Sequence, residues 1–88
     1  MIEIELKVLN RAGIHTRPAS KLVKLASRFK SELTISRGGF RVNGKSIIGV
    51  MTLAAEEGCK LLFQFDGVDE KEASLAIRDL IENKFDEV

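Results

Sequence analysis

Residues 2–8 read I-E-I-E-L-K-V, with Ile2, Ile4, Leu6 and Val8 at every second position and charges between them. A period of two puts the four apolar side chains on one face of an extended strand, so that face needs a covering layer while the other stays wet. The same period returns at Leu33 and Ile35, at Phe40-Arg41-Val42, and at Leu61, Phe63 and Phe65. Between these strands the period becomes helical. Ala19, Leu22, Val23, Ala26 and Phe29 share one helix face, and Ala73, Ala76, Ile77, Leu80 and Ile81 share another. Half-buried strands interleaved with amphipathic helices leave few architectures open to 88 residues.

Local punctuation sets the boundaries. Thr16 is the expected N-cap of a helix over residues 16–28, with Pro18 in its first turn. Gly38-Gly39 reads as a two-residue hairpin turn between the second and third strands. Ser46 reads as the N-cap of a short helix through Ile47, Ile48, Val50 and Met51. Gly67 ends the fourth strand, and Asp69 with Glu72 resembles a capping box for a helix over 69–83. The expected order is β-α-β-β-α-β-α, an α+β fold in one domain spanning 1–88. Its four-stranded antiparallel sheet carries three helices on one face, because a sheet with clean alternation buries only one side.

Composition narrows the function classes. At 44% hydrophobic and 31% charged, the chain reads as an ordinary soluble protein. No signal peptide or membrane-length apolar run is legible, so a cytoplasmic location is expected. The single cysteine, Cys59, excludes an intrachain disulfide and is expected to be a small buried hydrophobe. Residues 1–45 hold ten Lys and Arg against three Asp and Glu, while residues 46–88 hold four against ten. This polarity points to a basic face that meets phosphate or acidic partners.

Of two other readings of that basic half, the first fails on the sequence and the second stays as a weaker alternative. Gly39-Phe-Arg-Val-Asn-Gly44-Lys45-Ser46 spells the pattern of a phosphate-cradling P-loop. Its variable residues alternate like a strand, its first glycine serves a hairpin, and a nucleotide-hydrolysing domain needs a parallel sheet. A nucleic-acid module resting on the stripe Arg17, Lys21, Lys24 and Arg28 is the second reading. It lacks Trp and Tyr, most of its five Phe fall at core positions, and the net charge is only +1.

The chemistry points to His15, the only histidine. It follows a Gly-Ile turn and sits at the mouth of a helix whose first amides are unpaired and partly positive. Arg17 adds a guanidinium fork suited to phosphate oxygens, and Lys24 adds to the field. An exposed imidazole nitrogen there can take a phosphoryl group whose charge meets the helix amides and Arg17. No set of metal ligands surrounds His15, so no cofactor is expected.

These residues carry a resemblance. G-I-H-T-R-P-A-S at 13–20 is similar to the active-site signature of the HPr family, the histidine-containing phosphocarriers of the phosphoenolpyruvate:sugar phosphotransferase system. V-N-G-K-S-I-I-G-V-M at 42–51 resembles that family's second signature, at the right separation. The resemblance covers essentially the whole chain and implies an open-faced β-sandwich. It further implies that His15 accepts a phosphoryl group from phospho-Enzyme I on Nδ1 and passes it to IIA proteins or domains, with Arg17 stabilising the phosphohistidine. The protein would then be a carrier without turnover of its own, and a monomer. Thr16 stands where the family more often has alanine, which adds a hydroxyl beside the site.

Ser20, Lys24, Ile47, Ile48 and Met51 are the residues for partner docking. Ser20 and the three apolar residues match the family's docking patch. Core packing is the competing reading for Ile47, Ile48 and Met51, and it suits Ile47 best. Ser46 matches the serine that an HPr kinase/phosphorylase modifies, which implies that kinase and a catabolite-control regulator as further partners. A helix N-cap alone is the competing reading of Ser46, and the Gly44-Lys45-Ser46-Ile47-Ile48-Gly49 context favours regulation. The ending Asn83-Lys84-Phe85-Asp86 is similar to the nitrogen-related regulatory paralogue, while the 42–51 block is closer to the sugar-transport form. His15 itself excludes the catabolite-type homologue that lacks the active histidine.

Overall fold

The computed structural model describes residues 1–86. The elements follow in the order β1 (Ile2–Lys7), α1 (Thr16–Ala26), β2 (Glu32–Arg37), β3 (Phe40–Asn43), α2 (Ile47–Thr52), β4 (Lys60–Asp66) and α3 (Glu70–Glu82), with a final one-turn segment at Lys84–Asp86. The β-α-β-β-α-β-α order matches the expected one, and the strands form one antiparallel sheet in the order β1-β4-β2-β3.

Register follows from the alternation. Ile4 faces Phe63, Phe63 faces Ile35, and Ile35 faces Val42, so one apolar row crosses all four strands. The neighbouring row, Glu5, Leu62, Ser36 and Arg41, points to the other, open face. The helices cover the first face. Leu22 and Ala19 of α1, Val50 of α2 and Ile77 of α3 are completely buried there with Phe63 and Ile35. Burying a phenylalanine such as Phe63 contributes about 2–3 kcal/mol. The outer strand β1 carries Glu3 and Glu5 on its wet face, charges that discourage pairing with another sheet edge.

The hairpin answers the P-loop question. Gly38 and Gly39 have φ of +54° and +91°, as a type I′ turn requires at both central positions, and Arg37 pairs directly with Phe40. The residues that imitate a phosphate loop are therefore β3 itself.

Three local expectations are corrected. The N-cap of α1 is His15, not Thr16, because His15 holds the extended backbone (φ −96°, ψ −164°) and its carbonyl accepts the Ala19 amide. The Asp69–Glu72 capping box does not form. Asp69 precedes α3 but makes no side-chain cap; its carboxylate instead accepts the amides of Lys30 (2.8 Å) and Ser31 (2.9 Å) and the Ser31 hydroxyl. Glu70 takes over the backward reach, accepting the Gly67 amide at 3.1 Å. Cys59, expected to be buried, is only half-buried against the edge of the core, between Gly58 and the first residue of β4.

Candidate functional site

The site begins with a turn that needs glycine. Gly13 has φ +73°, and a Cβ there would stand 2.5 Å from the Ala55 carbonyl oxygen. Its amide donates to Asn10 O, the Asn10 side-chain amide donates to Gly13 O, and the Ile14 amide donates to Ala55 O at 2.8 Å. Ile14 and Asn10 are buried, so the loop is fastened from below, and His15 emerges exposed at its end.

As N-cap, His15 stands beside the open end of α1. Its side chain makes no capping hydrogen bond, and the first turn contains no acidic residue. Pro18 has no N–H, so the amides of Thr16 and Arg17 are the helical donors that lack intrahelical acceptors. In α3, by contrast, Glu70 and Glu72 occupy the first turn and balance the helix dipole. Among the described residues no acidic side chain of the first turn balances the positive end of α1, which suits an anion, and Arg17 is exposed beside it.

Two shallow grooves meet at His15 and Arg17. One gathers Thr16, Ser20, Lys21 and Lys24 from the exposed side of α1. The other also takes in Asn10, Arg11 and Glu57, together with Lys84 and Asp86 of the terminal turn. The second groove depends on the terminal turn. Lys84, Phe85 and Asp86 all lie in the left-handed region, a conformation that costs about 1–2 kcal/mol per residue. Phe85 is fully buried and its carbonyl accepts the Lys21 ammonium at 2.7 Å, which holds the turn in place.

Beyond the grooves, α2 packs against α1. Ser46 caps α2 as expected: its hydroxyl accepts the Gly49 amide at 3.1 Å. Ile48 is 77% exposed and Met51 40%. Ile47, a docking residue with core packing as its competing reading, is 41% exposed, because Val50 takes the inward position of this short helix. Ser20 and Lys24 lie on the groove of α1, and Ile47, Ile48 and Met51 stand outward on the neighbouring helix.

Among residues not singled out as site residues, Lys21, Arg11 and Lys84 line the grooves. Lys21 was legible in principle, since it lies one helical turn from Arg17 on the same face. Arg11 and Lys84 carried no periodic signal. Phe63, Phe65 and Phe85 are buried in the core, and among the described residues Phe40, on the hairpin, is the one phenylalanine that is largely exposed.

Comparison with known proteins agrees with this arrangement. Residues 2–83 match the family described as "PTS HPr component phosphorylation site". The phosphocarrier protein HPr of Treponema pallidum is 48% identical over 87 residues, covering 99% of both chains. The crystal structure of HPr from Thermoanaerobacter tengcongensis superposes with a TM-score of 0.96 at 40% identity, over 100% of this chain and 99% of that one. A dimer of HPr from the same organism superposes at 0.80. No described helix is long and apolar enough to cross a membrane. With the fold, the sequence match and the open helix end behind an exposed histidine all in agreement, the chain belongs to the HPr family, the phosphocarrier proteins of the phosphotransferase system.

Proposed function

We propose that His15 accepts a phosphoryl group from phospho-Enzyme I on Nδ1 and hands it to IIA proteins or domains of sugar permeases, the protein itself having no independent turnover. The observation that carries this reading is the open N-terminus of α1, with the exposed His15 as its cap and Arg17 in its first turn. The imidazole lone pair forms the new N–P bond as the donor's bond to phosphorus breaks, and the other ring nitrogen keeps its proton. The phosphoryl oxygens then face the free amides of Thr16 and Arg17 and the Arg17 guanidinium, donors that need no rearrangement at the moment of transfer.

Ser20, Lys24, Ile47, Ile48 and Met51 form the docking surface. Its exposed apolar residues lie beside a basic groove, a combination that suits a partner with an apolar patch rimmed by acidic residues. Ser46 is the regulatory serine, the substrate of an HPr kinase/phosphorylase, and its phosphorylated form serves a catabolite-control regulator. A phosphate at this N-cap is compatible with α2 and places negative charge at the start of the docking helix. The protein acts as a cytoplasmic monomer, with 1–88 as one domain; residues 87 and 88 lie outside the described residues.

Incubation with phosphoenolpyruvate and Enzyme I tests the reading. The expected product carries one phosphate that is acid-labile and base-stable and is absent from His15→Ala. A folded protein that takes no phosphate from a competent Enzyme I overturns it.

A further inference from the structure

The bend between α2 and β4 is the platform under His15. The Ala55 carbonyl accepts the Ile14 amide at 2.8 Å, and Gly13 lies so close that a Cβ there would be 2.9 Å from Glu56 Cα. His15 follows directly in the chain. The bend is not a naturally stiff one. Ala54 occupies the left-handed region at φ +50°, which a non-glycine residue adopts at a cost of about 1 kcal/mol. Leu53 and Ala54 lie just past the last residue of α2, where no further helical turn supplies donors to their carbonyls.

One side chain from elsewhere satisfies both. Nη1 of Arg37 donates to Leu53 O at 3.0 Å and to Ala54 O at 2.8 Å. Its Nη2 also faces Glu56 Oε1 at 3.5 Å. Arg37 is the last residue of β2 and pairs with Phe40 across the hairpin turn, so its backbone is anchored in the sheet. The ion pair contributes little, because Glu56 is 79% exposed and such pairs are screened. The two charge-assisted bonds to carbonyls hold the bend.

We propose that Arg37 is a positioning residue for phosphoryl transfer: it ties the 53–56 bend to the sheet, and through Ala55 it fixes Gly13 and Ile14 so that His15 is held at the open end of α1. The inference rests on the carrier reading above. Arg37 lines neither groove and acts only through the bend. The link crosses three separate parts of the chain, the hairpin, the α2–β4 bend and the β1–α1 loop.

The test compares wild type with Arg37→Ala, Arg37→Lys and Glu56→Gln. It reads kcat and KM for phosphoryl acceptance from phospho-Enzyme I, and amide hydrogen exchange at Ile14 with Phe63 as the core reference. Removing two charge-assisted hydrogen bonds is expected to speed Ile14 exchange and lower kcat by about tenfold each in Arg37→Ala, with KM and Phe63 exchange little changed. Arg37→Lys recovers part of both losses, since an ammonium can still reach a carbonyl, and Glu56→Gln behaves as wild type. Should Arg37→Ala fail to fold, Arg37→Lys carries the test, with a smaller loss in the same two readings. Unchanged Ile14 exchange, or faster exchange with unchanged kcat, overturns the role assigned to Arg37. Wild type that takes no phosphate overturns the carrier reading itself, and Ile14 exchange on the same samples still decides whether Arg37 holds the loop.

Discussion

At the scale of single residues, Gly13 and Arg17 carry separable burdens. Gly13→Ala meets the Ala55 carbonyl at 2.5 Å and must hold φ +73°. The substitution is expected to cost about 2–3 kcal/mol, read as a lower midpoint in thermal denaturation. Arg17→Ala leaves stability nearly untouched, because its side chain is exposed. It is expected to lower kcat/KM for phosphoryl acceptance by about a hundredfold or more, the usual effect of removing one preorganised anion donor, as single-turnover kinetics with phospho-Enzyme I will measure. Both residues were legible in G-I-H-T-R-P-A-S, since a turn glycine and a guanidinium beside a helix mouth have local meanings. Arg37 was not. A basic residue before a Gly-Gly turn has many uses, and only the fold brings it to carbonyls 16 and 17 residues away.

At the scale of elements, caps and their substitutes decide what each helix does. Ser46 both caps α2 and starts the docking helix, so two substitutions there separate stability from charge. Ser46→Ala is expected to cost about 1 kcal/mol in denaturant unfolding, through loss of the bond from the Gly49 amide. Ser46→Asp keeps an acceptor at the cap, so it retains stability while slowing phosphoryl acceptance by about tenfold through its charge. Asp69 makes a different bond. The Ser31 hydroxyl, followed by the Lys30 and Ser31 amides, lowers its carboxyl pKa to about 2. A folded-state pKa below the unfolded value of about 3.9 means the unfolded chain binds the proton first, so this stabilisation is complete above about pH 4 and fades toward pH 2. Asp69→Asn should therefore flatten the acid limb of a stability-versus-pH curve in that window. An unchanged limb would mean the tie between the α1–β2 loop and α3 is energetically idle. The capping-box reading of Asp69 failed because sequence spacing sees a partner three residues on and cannot see Ser31, 38 residues back.

At the scale of the whole molecule, the contrast between basic and acidic halves becomes a contrast between helices. Arg17 and Lys24 are exposed on α1 and Arg28 just past its end, with Lys21 half-buried among them, while Glu72, Asp79 and Glu82 are exposed on α3. Raising ionic strength from about 0.05 to 0.5 M is expected to raise KM for an acidic partner severalfold while kcat stays constant, because screening acts on encounter and not on the preorganised donors at His15. Stopped-flow transfer at several salt concentrations checks this. The sequence alone determined the element types, their order and the open sheet face, because periods of two and 3.6 are local properties of the chain, and the two signature blocks determined where the chemistry sits. Only the tertiary structure decided the strand order β1-β4-β2-β3, the outward placement of Ile47, the closure of the second groove by Lys84–Asp86, and the tie from Arg37 to the bend beneath His15. Each depends on contacts between residues distant in the chain, where competing packings share the same local pattern and only their simultaneous burial selects one.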